Sequence, residues 1–261
     1  MLPPGSAQIA PIMAAAPQVS TEIAPTAGGD VLDAIGRRGF AFVDGATMRE
    51  LLARAGPLTD WQALVDSWDD LDLDRYMADG GRYRRRRHAI YEATADGAIR
   101  RRKHGPHYQS LDYNKLNGGI ARWFEPVTAV GDGASMHAIL AFCRATFDRL
   151  AADVRAWHIE THQFRIEARP GEAGQPTPEG LHRDGVDYVL VLLIRRRNIA
   201  QGTTAIHALD RALLGSFTLT DPLDAAIVND ARVFHGVTAV EPVDPTAPAF
   251  RDVLVVTFRK A

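Results

Sequence analysis

The sequence predicts an α+β protein in which a β core, closed as a jelly roll, is flanked by N-terminal helices. Helical spacing of apolar residues dominates residues 30–155. From residue 156 onward, short strand-like runs follow one another with Gly, Pro, Asp or Asn between them. No strong linker separates the two parts, so residues 30–261 are expected to form a single domain.

Residues 1–29 are rich in Ala and Pro and are predicted to be a flexible leader. Prolines interrupt their apolar run and no basic stretch precedes it, which is not typical of a signal peptide. No stretch of the sequence approaches ~18 consecutive apolar residues, so we expect no membrane span. The single cysteine, Cys143, cannot form an intrachain disulfide, and a cytoplasmic location is favoured.

Three short helices and one long helix are predicted. The first begins at Asp30 and ends before Gly39, a residue type typical of helix C-termini. A strand with alternating side chains follows at FAFVDG. Helical spacing returns in ATMRELLARAG and in TDWQALVDSWDDL, where Thr59 or Asp60 is the expected N-cap. The longest helix covers about residues 133–155, and Cys143 is expected to be buried on its apolar face.

The segment of residues 82–103, named here the basic hairpin, carries nine basic and two acidic residues in a chain of net charge −2. An Asp-Gly turn joins its two strand-like runs. Because side chains alternate along a strand, the arginines should divide between two faces. Salt bridges, an anionic group of a substrate and nucleic acid are all open as their partners. We expect salt bridges for most of them and no nucleic-acid partner.

The candidate site centres on LHRDG at residues 181–185. His182 and Asp184 stand two residues apart, so an extended backbone would place both on one face as metal ligands. A third ligand must come from another segment, and His235 on a later strand offers one. Two histidines and a carboxylate make up the facial triad of non-haem Fe(II) oxygenases. The HxD pair alone is a weak signal, and the distal histidine adds the specificity.

Arg251 stands 16 positions after His235 and opens the strand-like run RDVLVVTFR. A guanidinium there has the geometry to bind the far carboxylate of a dicarboxylate whose other end chelates the metal. The alternative is a surface charge at the start of a strand. Arg251 is therefore a candidate co-substrate anchor.

A competing metal motif is HIETH at residues 158–162, because His158, Glu160 and His162 share one strand face. It lacks the preceding loop and the distal histidine, so a polar strand face is favoured. Gln163 and Arg165 would occupy the opposite face. HGPH at residues 104–107 is interpreted as a loop because Gly-Pro forms turns.

Taken together, these motifs resemble those of the 2-oxoglutarate/Fe(II)-dependent dioxygenases, and most closely the bacterial group that includes free amino-acid hydroxylases such as isoleucine dioxygenase. The resemblance spans roughly residues 83–260. It is carried by HYQSLDYNKLNGG, HQFRIEA, PEGLHRDGVDYVLVLLIRRRNI, and FHGVTAV followed by FRDVLVVTF. One departure is Gln201, which stands before Gly202 where a Gly-Gly pair is expected.

The resemblance implies a double-stranded β-helix with His182, Asp184 and His235 as iron ligands. It also implies Arg251 as the 2-oxoglutarate anchor and Thr204 as a weaker contact to co-substrate or substrate. The implied cofactors are Fe(II), 2-oxoglutarate and O₂. The implied reaction hydroxylates an aliphatic C–H of a small molecule, a free L-amino acid above all, and releases succinate and CO₂.

The resemblance further suggests that Gln163 and Arg165 point toward the pocket. Two alternatives stay open at this point. One is a cupin-like metalloenzyme that does not use 2-oxoglutarate. The other is a non-catalytic jelly roll that binds anions or nucleic acid through the basic hairpin.

Overall fold

The computed structural model describes residues 22–261, so residues 1–21 of the predicted leader lie outside the described part of the chain. The last residues of that leader contact the fold. The backbone N–H of Ile23 donates to the carbonyl of Ser216 at 2.8 Å, and that of Thr26 donates to the carbonyl of Phe42 at 2.6 Å. Residues 22–29 therefore pack against strands, whereas the sequence predicted them to be part of a flexible leader.

The α-helices within residues 22–261 follow the predicted order. They are α1 (Val31–Arg38), α2 (Gly45–Ala55), α3 (Trp61–Asp66) and α4 (Ala134–Leu150). Gly39 ends α1 with a left-handed φ of 85°, and its N–H donates to the carbonyl of Ile35, as the stop signal predicts. None of the helices in the described residues is long and apolar enough to cross a membrane.

Two details of the helices differ from the prediction. Asp60 precedes α3, but its carboxylate caps α4 instead, accepting a hydrogen bond from the N–H of Ser135 at 2.8 Å. The longest helix, α4, ends at Leu150, because the chain then turns through residues 151–156 into the next strand. Cys143 is fully buried in α4, as expected, and burial raises the pKa of its thiol.

The strands form one large sheet and several small ones. The first eight are β1 (Phe40–Val43), β2 (Arg84–Ala93), β3 (Ile99–Arg101), β4 (His107–Tyr108), β5 (Ala121–Arg122), β6 (Glu125–Pro126), β7 (Trp157–Ala168) and β8 (Tyr188–Arg197). The others are β9 (Ile199–Gln201), β10 (Thr203–Ala208), β11 (Leu213–Thr218), β12 (Ala225–Asn229), β13 (Val233–Val237), β14 (Val240–Pro242) and β15 (Ala249–Lys260). The major sheet has the order β1-β12-β8-β15-β7-β2-β3, with β6 beside β2, and the minor sheet has the order β11-β10-β13.

Helices, major sheet and minor sheet make three layers. One apolar cluster joins the helices to one face of the major sheet and contains the fully buried Trp68 and Phe147. A second cluster joins the opposite face to the minor sheet, where Phe42 of β1 and Phe217 of β11 stack with their ring centroids 4.7 Å apart. The major sheet is therefore buried on both faces, as a central layer must be.

The strand predicted at FAFVDG forms as β1 and is buried at all four positions. Its side chains divide between the two apolar clusters, so both faces of the strand are covered. Strands β1 and β2 both come from the part of the chain that was predicted to be mainly helical. Strand β1 pairs with β12 and β2 pairs with β7, so the predicted change of character at residue 156 does not divide the fold.

The basic hairpin forms as predicted from β2 and β3, and ion pairs occupy most of its arginines. Arg84 pairs with Asp74 at 2.7 Å, and Arg85, on the other face of β2, pairs with Glu167 at 2.6 Å. The remaining pairs are Arg87 with Asp70 and Asp72, Arg100 with Asp96, Arg101 with Asp132, and Arg102 with Glu92. The salt-bridge interpretation therefore accounts for most of this charge, and Arg86 is the exception within β2.

We expect no tight binding of nucleic acid to the basic hairpin at physiological salt. Its arginines are already paired with carboxylates, so few are free to neutralise phosphates. A protein that contacts ~6–10 phosphates shows an affinity that falls steeply with salt. Fluorescence anisotropy with labelled DNA and RNA at several salt concentrations tests this expectation. Sub-micromolar affinity with a steep salt dependence would contradict it.

Candidate functional site

A cavity of about 500 Å³ opens between the major sheet and β13. His182, Asp184, His235 and Arg251 all line it, so the structure brings together four of the predicted site residues. Thr204 is buried on β10 opposite Val237 and is not among the residues that line this cavity.

The three predicted metal ligands converge in this cavity. The backbones of His182 and His235 exchange two hydrogen bonds, each 2.9 Å long, which join the loop before β8 to strand β13. Nε2 of His182 lies 3.7 Å from one oxygen of Asp184, and Nε2 of His235 lies 3.5 Å from the other. All three ligand atoms lie within 4.8 Å of one another. Two imidazoles and one carboxylate facing a cavity form the donor set of a facial triad.

Hydrogen bonds and charge prepare this triad for a divalent cation. Nδ1 of His182 lies 3.0 Å from the carbonyl of Gly180, to which it donates, so Nε2 is left to face Asp184. Burial opposes the charged form of His182, but Asp184 outweighs it and raises the pKa of His182 to about 9. Burial likewise opposes the charged carboxylate, yet the two imidazoles hold the pKa of Asp184 well below its usual range. The donor set therefore fits Fe(II).

Asp230, at the end of β12, holds the backbone of the loop that carries Asp184. Its carboxylate accepts hydrogen bonds from the backbone N–H groups of Asp184 at 2.9 Å, Gly185 at 2.8 Å and Val186 at 3.2 Å. Burial and the nearby Asp184 carboxylate raise the pKa of Asp230. The sequence analysis missed this residue, because nothing in the run AAIVND distinguishes it from an ordinary turn residue.

Replacing Asp230 with Ala is expected to weaken Fe(II) binding by ~10–100-fold, as losses of outer-shell partners typically do. The three N–H groups would lose their acceptor, and the Asp184 carboxylate would lose its fixed position. Anaerobic calorimetric titration with Fe(II) measures the effect. Asp224→Ala is the matched control, because Asp224 also accepts from three backbone N–H groups, those of Gly45, Thr220 and Asp221. Equal Fe(II) affinity in the two variants would contradict a positioning role for Asp230.

Arg251 lies on β15 with 2% of its surface exposed. It forms no ion pair with any acidic residue among residues 22–261, and its Nε and Nη2 atoms are buried without a hydrogen-bond partner. Burial and the neighbouring Arg196 lower the pKa of Arg251 to about 10. A buried guanidinium with unpaired N–H donors fits the distal carboxylate of 2-oxoglutarate, so the residues present suit this co-substrate.

The competing HIETH motif lies in the same cavity, which the sequence did not predict. The carboxylate of Glu160 accepts hydrogen bonds from Nδ1 of His107 at 2.5 Å and from Nε2 of His158 at 3.1 Å. The Nε2 atoms of His88 and His162 lie 3.3 and 3.4 Å from the same carboxylate. Burial lowers the pKa of His107 to about 4 and keeps it neutral. Although burial favours a neutral acid, the surrounding imidazoles lower the pKa of Glu160. His107 belongs to the HGPH segment that was predicted to be only a loop.

A hydrogen bond from Arg86 distinguishes His162 of this imidazole cluster from a metal ligand. Nη2 of Arg86 lies 2.9 Å from Nδ1 of His162. Arginine only donates, so Nδ1 of His162 accepts and the ring proton resides on Nε2, which faces Glu160. A protonated Nε2 is not a metal ligand. The cluster therefore holds an ionised carboxylate by hydrogen bonds.

The suggestion that Gln163 and Arg165 point into the pocket is wrong. Gln163 donates to the hydroxyl of Ser67 at 2.7 Å, and Arg165 forms an ion pair with the fully buried Asp252 at 2.8 Å. Both therefore lie on the helix-facing side of β7. The opposite side of β7, with Glu160 and His162, faces the cavity. Gln201 adopts a left-handed φ of 62°, which explains why glycine is expected at that position.

Two comparisons of this sequence with known proteins agree with each other. A family model described as "2OG-Fe dioxygenase" matches residues 65–257. The chain is similar to the 3(1)-hydroxy-L-isoleucine 4-dioxygenase of Pantoea ananatis strain AJ13355, with 26% identity over 235 residues. That alignment covers 87% of this chain and 94% of the relative.

Solved structures with a similar fold include a bsmA homolog from Methylobium petroleophilum PM1. It superposes with a TM-score of 0.83 at 34% identity, covering 93% of this chain and 97% of the other. The structure of IDO from Bacillus thuringiensis superposes with a TM-score of 0.70 at 19% identity, covering 90% of this chain and 100% of the other. The second similarity concerns the fold alone.

Proposed function

From the following premise we propose that the protein hydroxylates a free aliphatic L-amino acid. The chain belongs to the 2OG-Fe dioxygenase family and is a 2-oxoglutarate-dependent Fe(II) dioxygenase. The enzyme uses Fe(II), 2-oxoglutarate and O₂. Bound iron supplies the activation of O₂ that is coupled to decarboxylation of 2-oxoglutarate to succinate and CO₂. The proposed product carries a hydroxyl group on an aliphatic carbon.

The proposal assigns a role to each predicted site residue. His182, Asp184 and His235 hold Fe(II), and Arg251 binds the distal carboxylate of 2-oxoglutarate. The observation that carries this assignment is one cavity with a His-Asp-His donor set and a buried guanidinium without a carboxylate partner. Thr204 is kept as a weaker candidate contact, with no cavity-lining position to support it.

An amino-acid substrate is supported by the relative from Pantoea ananatis, whose name specifies a hydroxylated isoleucine. The cavity suits a molecule of this kind in size and lining. Its volume of about 500 Å³ is that of a small-molecule site. Val191, Val253 and Val255 form an apolar part of its wall, where an aliphatic side chain would displace water.

The chain's own residues perform positioning and electrostatic work in the reaction. The Gly180 carbonyl fixes the tautomer of His182, and Asp230 fixes the loop that carries Asp184. Arg251 contributes a two-point hydrogen-bonding fork in a dry environment, which orients a carboxylate as well as binding it. The side chains of Val191, Val253 and Val255 would exclude water from the region where the aliphatic carbon of the substrate would lie.

A screen of the free L-amino acids tests the proposal. The enzyme is supplied with Fe(II), 2-oxoglutarate and O₂, and succinate formation is measured together with the mass of each amino acid. We expect one or a few aliphatic amino acids to stimulate succinate formation and to gain one oxygen atom. The Asp184→Ala variant should abolish both signals. If no amino acid raises succinate above the level without substrate, the proposed substrate class is wrong.

Family membership sets aside the cupin-like metalloenzyme without 2-oxoglutarate and the non-catalytic jelly roll. We extend the proposal to the double-stranded β-helix closure, which the two facing sheets support. A cytoplasmic location is likewise proposed from the sequence composition, and cell fractionation tests it.

A further inference from the structure

The cavity wall carries two buried arginines besides Arg251 that have no acidic partner. Arg86 on β2 is 5% exposed and Arg122 on β5 is 2% exposed. Neither forms an ion pair with an acidic residue in the described part of the chain, and the Nε atom of each is buried without a hydrogen-bond partner. Arg84 and Arg85, beside Arg86 in sequence, both have carboxylate partners. The lack of a carboxylate partner at Arg86 is therefore not shared by its neighbours on β2.

Both guanidinium groups contact the ring of Phe124. The Cζ atom of Arg86 lies 4.0 Å from the centroid of that ring, and the Cζ atom of Arg122 lies 5.8 Å from it. Arg86 also lies over Phe164 at 4.5 Å. The aromatic rings hold the guanidinium planes in place. They do not neutralise the two charges, and both arginines line the cavity.

Two like charges in a buried site are unfavourable unless an anion joins them. Burial and the neighbouring Arg122 lower the pKa of Arg86, and the carboxylates of Asp74 and Glu160 offset only part of this effect. Their remaining hydrogen bonds are few: Arg86 donates to Nδ1 of His162 at 2.9 Å, and Arg122 donates to the side-chain carbonyl of Gln109 at 3.4 Å. A carboxylate between them would supply both charge and acceptors.

This pair is separate from the proposed 2-oxoglutarate anchor. Arg251 pairs with Ile166 on one edge of β7, whereas Arg86 pairs with Phe164 on the other edge. The pair is also close to the metal ligands. Gln109, which accepts from Arg122, donates through Nε2 to the backbone carbonyl of Asp184 at 3.0 Å. One side chain therefore connects the guanidinium pair to the triad.

We infer that Arg86 and Arg122 form a subsite that binds a carboxylate group of the substrate, distinct from the 2-oxoglutarate anchor at Arg251. The inference rests on the proposed function and deepens it, because it requires every good substrate of this enzyme to carry a carboxylate. A planar guanidinium binds a carboxylate through two parallel hydrogen bonds, so the pair also orients the substrate.

Calorimetric titration of the anaerobic enzyme loaded with Fe(II) and 2-oxoglutarate tests the inference. The probes are two matched pairs: L-isoleucine with L-isoleucinamide, and 4-methylpentanoate with 4-methylpentanamide. Each carboxylate is expected to bind at least about 30-fold more tightly than its amide, as for a desolvated charge-assisted pair. Arg86→Met and Arg122→Met should remove this preference. Arg85→Met, on the opposite face of the same strand, should keep it.

The melting temperature of the Arg86→Met variant is a second measurement. A purely structural role for Arg86 would lower this melting temperature, whereas a binding role would not. Arg86→Met removes an unpaired buried charge and keeps an apolar stem between two aromatic rings. The melting temperature of the ligand-free variant should therefore stay equal to that of the parent or rise. A lower melting temperature with an unchanged carboxylate preference would assign Arg86 to the fold and overturn the inference.

The remaining outcomes separate this inference from the proposed function. If no amino acid is hydroxylated but 4-methylpentanoate still binds through Arg86, the amino-acid proposal fails and the carboxylate subsite stands. If the parent shows no preference for carboxylates, or if both methionine variants retain it, the subsite is wrong. A loss of 2-oxoglutarate affinity in Arg86→Met as large as that in Arg251→Ala would also overturn it, because the pair would then bind the co-substrate.

Discussion

Alanine in place of His182, Asp184 or His235 is expected to reduce Fe(II) affinity by more than ~100-fold. Each substitution removes one of three ligands, and even outer-shell losses cost ~10–100-fold. The β core should survive, because the backbone hydrogen bonds between His182 and His235 do not depend on their side chains. Anaerobic calorimetric titration with Fe(II), together with circular dichroism, measures both expectations.

His207→Ala is the matched control for the triad. His207 lies on β10, does not line the cavity and contacts the backbone carbonyl of Arg211. Its variant should bind Fe(II) as the parent does. Unchanged iron affinity in all three triad variants would contradict the assignment. In that case the imidazole cluster around Glu160 would be the next candidate, and Glu160→Gln would be expected to remove the bound iron.

Arg251→Ala is expected to weaken 2-oxoglutarate binding by about 30-fold to several thousand-fold. Truncating one partner of a desolvated charge-assisted pair costs ~2–5 kcal/mol, and each ~1.4 kcal/mol is a factor of ten. Iron affinity should hardly change, because Arg251 is not a ligand. Arg251→Lys should also bind poorly, since a point charge replaces a planar fork. Titration with 2-oxoglutarate under anaerobic conditions, in the presence of Fe(II), measures each affinity.

Arg259 on the same strand serves as the control for Arg251. Eight residues of extended chain separate the two by ~27 Å, at ~3.4 Å per residue, which is too far for one carboxylate to reach both. Arg259→Ala should therefore bind 2-oxoglutarate as the parent does. Equal affinity in Arg251→Ala and the parent, or a larger loss in Arg259→Ala, would show that the co-substrate binds elsewhere.

The convergence of His182, Asp184 and His235 was predictable from sequence because their spacing reports local geometry. His182 and Asp184 are two residues apart, and His235 follows on a distinct strand. Asp230 and Gln109 were not predictable, because their roles depend on long-range contacts with the loop that carries Asp184. Their residue types carry no signal in the sequence.

In the basic hairpin, the sequence pattern predicts the strands but not the partners of the individual arginines. Alternation along β2 correctly predicts two faces, but it does not tell which arginine has a carboxylate partner. The partners Asp70, Asp72 and Asp74 precede β2 in sequence, and only the folded chain shows that they reach Arg84 and Arg87 while Arg86 stays unpaired. For the same reason, the cavity-facing side of β7 could be assigned only once the helices were seen to cover the other side.

Strand β15 lies in the middle of the major sheet, between β8 and β7, although it follows both of them in the chain. In the folded sheet, Ile166 of β7 pairs with Arg251 of β15, and Leu192 of β8 pairs with Leu254 of β15. Until β15 is synthesised, a nascent chain exposes two unpaired strand edges, which are templates for aggregation. Pairing between distant segments also makes folding slow. Completion of the major sheet and placement of the Arg251 guanidinium in the cavity therefore both depend on the same C-terminal strand.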